Sequence, residues 1–257
     1  MNQKNAKLFV ILLSLGLVIL SLGGSLPAYT KLALVFLILP TIFVYFKHGG
    51  HLDKKKLLVT SLLAIFATIV WDNIAINLKI WDFPKENVIG WLLGVPIEEY
   101  FFGFWIVAMS IGIYTALHKQ KSVINIPHLK TLTLLILTTL AQFAVLFFIF
   151  FYNANSYIKW LLVLAIIPSF FFVFRKGERI DYIKMFITAL IMGLITIVYD
   201  HIFIPGSWYH YDSAIIGRIW GVPIDDILFS FFTSITIIGF YTSVPHKHPF
   251  IGKWGQN

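Results

Sequence analysis

The chain has 257 residues, 58% of them hydrophobic and only 12% charged, with a mean hydropathy of +0.83. A soluble domain carries roughly a quarter charged residues, so a water-soluble fold is excluded and an integral membrane protein is expected. Cysteine is absent, which excludes disulfides, thiolate metal sites and cysteine nucleophiles, and the net charge of +8 lies in short loops between apolar runs, a topological pattern that argues against nucleic acid as a partner.

Taken in chain order, eight apolar runs can be drawn, at 8–26, 31–46, 57–78, 91–117, 130–151, 158–174, 183–204 and 217–243. Most approach the ~20 residues that cross a hydrocarbon core, the second and sixth being short. Backbone polar groups must be satisfied internally in lipid, so the runs are expected to be helices. With eight spans, 15 of the 20 Lys and Arg residues fall on the side of the termini and 5 (Lys31, Lys79, Lys85, Lys159 and Arg218) on the other. The positive-inside rule then places both termini in the cytoplasm.

The first run follows Lys4 and Lys7 and could pass for a signal peptide. A tandem repeat of about 128 residues argues otherwise, because residues 2–23 correspond to 130–151, an internal span. Across that repeat Pro40 aligns with Pro168, and Ile69-Val-Trp-Asp72 aligns with Ile197-Val-Tyr-Asp200. After a one-residue gap, Trp81 aligns with Trp208, Gly90 with Gly217, and Tyr114-Thr115 with Tyr241-Thr242. The expected fold is therefore all-α, with two tandem four-helix repeats of the same orientation, 1–121 and 122–257. The basic linker from His118 to Lys130, broken by Pro127, is short enough that the repeats should pack as one bundle.

The most informative stretch occurs once per repeat: Gly94-Val-Pro-Ile-Glu-Glu-Tyr-Phe-Phe-Gly-Phe-Trp105 and Gly221-Val-Pro-Ile-Asp-Asp-Ile-Leu-Phe-Ser-Phe-Phe232. Six of the twelve acidic residues, Asp72, Glu98, Glu99, Asp200, Asp225 and Asp226, sit in or at the edge of apolar runs. An intramembrane carboxylate costs several kcal/mol if ionised and unpaired, so each is a candidate functional group. Pro96 suits the first turn of a helix. Helical spacing then puts Glu98 on one face with Phe101, Phe102 and Trp105, and Asp225 on one face with Leu228, Phe229 and Phe232. An acid above an aromatic stripe suits carbocation chemistry, since ring faces stabilise a cation without trapping it. Clustered carboxylates in a low dielectric cannot all ionise, which would keep one protonated, whereas first-turn N–H groups favour the anion.

Other residues have blander roles. Trp71, Trp81, Trp91, Trp208 and Trp220 are expected in an interfacial belt, and Tyr114 and Tyr241 as anchors at the cytoplasmic ends. His48, His51, His118, His128, His246 and His248 fall in loops; His201 alone lies at the depth of the acids, beside Asp200. No dinucleotide fingerprint, phosphate-cradling loop, nucleophile elbow, intramembrane His cluster or Asp-Asp-x-x-Asp pattern is present, so neither a metal nor a cofactor is expected.

At these motifs the chain resembles the small membrane lycopene cyclases of the heterodimeric type, in the form in which both subunits are fused into one polypeptide. The doubled Pro-Ile-Glu-Glu and Pro-Ile-Asp-Asp motifs, the upstream Asp72 and Asp200 and the aromatic helix after each motif carry the resemblance over nearly the whole chain. It implies an isomerase of the intramolecular lyase type that closes the linear ends of lycopene into rings, giving beta-carotene by way of gamma-carotene. The expected catalytic residues are Glu98, Glu99, Asp225, Asp226, Asp72 and Asp200; the expected substrate-binding residues are Phe101, Phe102, Trp105, Phe229, Phe232 and His201. Lycopene or a related linear carotenoid, membrane lipid and other carotenoid-pathway enzymes are the expected partners. The alternatives are a proton-coupled or cation transporter, which would also use intramembrane carboxylates, and a non-catalytic scaffold, which would leave the six acids unexplained.

Overall fold

The computed structural model describes residues 11–12, 14–16, 18–19, 26–39, 41–42, 53–119, 159, 161, 166–169, 180–204, 210–211 and 217–243. The run at 130–151, most of those at 8–26 and 158–174, Trp208, the linker beyond Lys119 and the loop histidines other than His118 lie outside them. The described part is mostly helical. A short helix α1 (Ala28–Leu32) starts behind Pro27, whose fixed φ suits a helix start, and continues as a π-helical turn over Ala33–Ile38. Four long helices follow: α2 (Lys54–Asn77), α3 (Ile97–Lys119), α4 (Tyr182–Phe203) and α5 (Ile224–Ser243). All four are long and apolar enough to cross a membrane.

Side-chain exposure orders these helices. On α2, Leu58, Leu62, Phe66 and Val70 recur every four residues and are all exposed, and on α4 Leu190, Leu194 and Val198 repeat the stripe. A large outward apolar stripe would be unfavourable in water and is the natural lipid-facing side of a membrane helix. The inner pair is α3 and α5, which meet at the buried Ser110 and Ser234, with Oγ atoms 3.1 Å apart. Small hydroxyl residues let backbones approach and supply an interhelical hydrogen bond where lipid offers none. Each outer helix then locks onto an inner one through an equivalent position. Thr196 of α4 donates to Ser230 of α5 at 2.6 Å. Against α2 the place of Ser230 is taken by Gly103, where a Cβ would meet Thr68 Oγ1 at 2.6 Å.

The helix starts differ from expectation. The runs at 91 and 217 begin as two-residue strands: β2 (Trp91–Leu92) pairs with β3 (Val95–Pro96), and β5 (Arg218–Ile219) with β6 (Val222–Pro223). Pro96 thus ends a hairpin instead of opening the helix, and α3 begins one residue later. The cause is the turn. Leu93 and Gly94 have φ of 51° and 81°, Trp220 and Gly221 have 52° and 83°, and two consecutive left-handed residues make the tight hairpin turn that matches strand twist. The first helical N–H groups close each hairpin, Ile97 donating to the Gly90 carbonyl and Ile224 to that of Gly217, both at 3.0 Å. Between the hairpins, β1 (Trp81–Asp82) pairs antiparallel with β4 (His210–Tyr211) and ties the two inter-helix loops together.

At the opposite end of the bundle the repeats cap each other. The backbone N–H of Asp181, which starts α4, donates to the Tyr114 hydroxyl of α3 at 3.1 Å, and that of Asp53, which starts α2, donates to Tyr241 of α5 at 3.1 Å. Both aspartates also accept from first-turn N–H groups of their own helices. Tyr114 and Tyr241 are thus interlocks between helix pairs more than interfacial anchors. Of the belt tryptophans, Trp91 and Trp220 are exposed, but Trp71 and Trp81 are buried, with ring centroids 5.7 Å apart. They sit on the inward side because α1 and the loop after α2 cover them, Tyr29 and Phe83 belonging to the same core.

The two turns differ in how tightly their glycines are packed. A Cβ at Gly221 meets nothing within 4 Å, whereas one at Gly94 meets Asn73 Oδ1 at 2.5 Å. Gly221→Ala should therefore cost about 1–2 kcal/mol, the left-handed penalty alone. Gly94→Ala should cost more, because it also displaces Asn73 from the Leu93 carbonyl. Thermal unfolding of the two variants in detergent checks the order; equal losses would contradict it.

Candidate active site: a carboxylate cluster beneath the hairpins

The hairpins fix where each acid goes. Glu98, Glu99, Asp225 and Asp226 all lie in first turns, where unpaired backbone N–H groups stabilise carboxylates. Asp72 and Asp200 lie near the C-terminal ends of the preceding helices, α2 and α4. All six are buried, none more than 8% exposed. Burying so many carboxylates is unfavourable unless each is hydrogen-bonded or holds its proton.

The two motif glutamates are held differently. Glu98 Oε1 accepts the Thr30 hydroxyl of α1 and the backbone N–H of Ile89, the latter at 2.8 Å. It therefore ties α1 and the loop ahead of the hairpin to the start of α3. Glu99 accepts the Tyr29 hydroxyl and is close enough to interact electrostatically with Asp72, Glu98 and Asp226. Tyr199, which precedes Asp200, lies within electrostatic reach of Asp200, Asp226 and Glu99. One cluster therefore draws on both repeats, with Glu99 in electrostatic reach of members from each. Oδ2 of Asp72 and Oε2 of Glu98 have no hydrogen-bond partner among the described residues.

Below the acids lies an aromatic assembly. Trp71, adjacent to Asp72, stacks on Phe229 of α5 with centroids 5.3 Å apart and planes 12° from parallel. Phe102 packs on Trp105 at 5.5 Å, and Tyr199 stands edge-on to both, at 6.1 and 5.6 Å. Ring faces and edges from both repeats thus line the space between the cluster and the bundle interior.

The expected substrate-binding residues divide accordingly. Phe102, Trp105 and Phe229 belong to this assembly. Phe101 is 51% exposed and turned outward, since successive helical residues diverge by about 100°. Phe232 is buried in a separate core with Tyr114, Met185 and Ala189. His201 is exposed, and its Nδ1–H donates to the Trp220 carbonyl at 2.7 Å. That bond matches Asn73, whose Nδ2 donates to the Leu93 carbonyl at 2.9 Å, so His201 and Asn73 both brace the hairpin turns.

Tyr29, Thr30, Tyr199 and the stacked Trp71 have no place in the sequence-based site. Tyr29 and Thr30 fall in a gap between apolar runs and make contacts about seventy residues away, which periodicity does not show. Trp71 and Tyr199 did leave a signal, an aromatic residue immediately before each repeat-equivalent aspartate. Among the described residues no group of three or more His, Asp or Glu side chains is arranged to hold a metal ion.

Known proteins resemble this chain in sequence. The bifunctional lycopene cyclase/phytoene synthase of Phaeosphaeria nodorum is 41% identical over 69 residues, 26% of this chain and 12% of that protein. The protein of the same description from Aspergillus niger is 41% identical over 76 residues, 28% of this chain and 13% of its own length. That of Phaffia rhodozyma is 24% identical over 212 residues, 72% of this chain and 31% of its own. The chain thus spans under a third of the length of these curated relatives. No solved structure matches it. The family model described as lycopene cyclase matches twice, at residues 27–117 and 155–244, each segment running through one motif helix and the two together covering well over half of the sequence, so the chain belongs to the lycopene cyclase family.

Proposed function

We propose that the protein is a lycopene cyclase that closes the linear end groups of lycopene into beta-ionone rings, giving beta-carotene by way of gamma-carotene with no net redox change. The observation that carries this reading is the placement of a buried, two-repeat carboxylate cluster directly against an aromatic assembly. Family membership supports the reaction class. The charge distribution supports eight spans in two repeats, 1–121 and 122–257, with the termini in the cytoplasm and the cluster near the opposite face. The four long helices run unbroken, which does not favour a transporter built on discontinuous helices.

The chemistry follows from the geometry. Glu99, crowded by Asp72, Glu98 and Asp226, which disfavour a further negative charge, and oriented by Tyr29, is the proposed acid and delivers a proton to the terminal double bond. The resulting tertiary cation is attacked by the next double bond along the chain, which forms the C–C bond of a six-membered ring and moves the charge onto a ring carbon. A carboxylate of the second motif, Asp226 lying within electrostatic reach of Glu99, removes a proton from the adjacent carbon and sets the product alkene. One proton is gained and one lost, so product and substrate are isomers. Trp71, Phe102, Trp105 and Phe229 stabilise the cation and exclude water, which would otherwise give alcohols. Glu98 positions the loop and α1 over the site, with Asp72, Asp200 and Asp225 completing the acidic surround.

Expression in a lycopene-accumulating host followed by pigment chromatography tests the function directly: ring-bearing products are expected, and unmodified lycopene with the protein in the membrane would contradict the proposal. In the same assay Glu99→Gln should lower conversion at least ~100-fold, the scale of a lost general acid. Glu98→Gln should be milder, because an amide oxygen still accepts from Ile89 and Thr30. Parent-like conversion by Glu99→Gln would remove Glu99 as the donor. Tyr29→Phe deletes the hydrogen bond to the carboxylate that Glu99 becomes as its proton leaves, a loss of about 1.5–3 kcal/mol, so a fall in rate on the order of tenfold or more is expected without loss of membrane-embedded protein.

A further inference from the structure

A groove of about 390 Å³ opens on the side of the bundle between α2 and α5, with α3 at its back. On α2 it runs from Thr60 to Trp71 and on α5 from Phe229 to Phe240, twelve residues each, or about 16 Å at a rise of 1.5 Å per step. One end is formed by the stacked Trp71 and Phe229, the residues adjoining Asp72 and the first turn of α5, so the groove leads to the carboxylate cluster. Among the described residues, no charged side chain lines it. Two of its threonines are satisfied by their own helices, Thr60 donating to the Lys56 carbonyl at 2.7 Å and Thr236 to that of Phe232 at 3.1 Å. These hydroxyls are thereby spent within their helices, and the lining behaves as hydrocarbon and aromatic surface.

The other repeat handles the equivalent place differently. The groove exists because α2 carries Ala64 and Ala67, whose repeat equivalents on α4 are Met192 and Ile195. There the seam between α4 and α3 is filled: Met192 is fully buried in one core with Trp105, Ile106 and the partly buried Ile195 and Tyr199. Two small residues on one helix and two large ones on its counterpart make one side open and the other packed.

We infer that the groove between α2 and α5 holds the unreacted arm of the linear polyene, which slides in sideways from the lipid while its end group lies among the carboxylates. This rests on the cyclase reading and extends it: among the described residues the arm-binding groove is built by α2 against α5, while the equivalent seam of α4 against α3 is packed, and the second repeat supplies acids and aromatics. A narrow slot lined by alanine, threonine and aromatic rings, with no charged group among the described residues to hold a headgroup, fits an extended conjugated hydrocarbon. Continuity with the acids explains why the occupant would be substrate.

The test fills the groove with the residues that fill its counterpart. Ala64→Met/Ala67→Ile and the single variant Ala67→Ile, each combined with Glu99→Gln to prevent turnover, are placed in phosphatidylcholine nanodiscs, and lycopene binding is read by quenching of tryptophan fluorescence. Leu62→Trp, an added ring on the lipid-facing side of α2, controls for bulk. At least tenfold weaker binding in both groove variants, with Leu62→Trp like its parent and unchanged melting temperatures, is expected. If the double variant does not fold, Ala67→Ile is read by the same criterion. Parent-like lycopene binding with the groove filled would overturn the inference. So would the finding, by native mass spectrometry, that filling the groove expels a phospholipid while lycopene binding persists. If the unmutated protein binds lycopene through the groove but forms no ring, the groove stands and the cyclase reading falls; if it binds none, both fall.

Discussion

Everything in this molecule turns on keeping six carboxyl groups buried at one end of an apolar bundle. Hydrocarbon solvates charge so poorly that such a cluster persists only if protons, hydroxyls and backbone N–H groups answer it. Three devices do so. The helix starts aim their free N–H groups at the motif acids. The short helix α1 brings Thr30 and Tyr29 onto Glu98 and Glu99. The hairpins set where the helices begin, so that acids from two successive turns of chain arrive at one depth. A helix started six residues earlier, at the ends of the apolar runs, would have carried the acids about 9 Å into the bundle.

The duplication solves an assembly problem and then departs from symmetry. Matching hairpins, matching turn braces from Asn73 and His201, and reciprocal caps from Tyr114 and Tyr241 give both halves the same frame. Within that frame the side chains diverge: Glu-Glu against Asp-Asp, Trp71 against Tyr199, Ala64 and Ala67 against Met192 and Ile195. A frame held by backbone geometry and a few hydrogen bonds tolerates such divergence, because none of these residues is needed to hold it. That permits one half to specialise in admitting substrate while both contribute to the acidic cluster.

How much of this was legible in the sequence depended on the range of the interaction. The membrane class, the helical runs at 57–78, 91–117, 183–204 and 217–243 and the depth of the six acids follow from composition, periodicity and repetition, all of which are local. The hairpins are not legible because a proline before two acids, as at Pro96 and Pro223, equally suits the first turn of a helix, whereas the positive φ of Leu93, Gly94, Trp220 and Gly221 makes a turn. His201 was placed with the chemistry by depth alone, although its aligned partner Asn73 already suggested a shared structural duty. Tyr29 and Tyr199 could not be ranked above other tyrosines until tertiary contacts brought them to Glu99. The groove was hidden in two alanines, which draw attention only when set beside Met192 and Ile195.

Acid-initiated ring closure makes one measurement decisive. When the protein converts lycopene in D2O, each new ring should retain one solvent deuterium, because the proton delivered by the carboxylic acid stays on the carbon it attacks and a different hydrogen is lost when the alkene forms. Mass spectrometry of the isolated product should therefore show a shift of one deuterium per ring. Ring-bearing product without deuterium would contradict proton-initiated cyclisation by the carboxylate cluster.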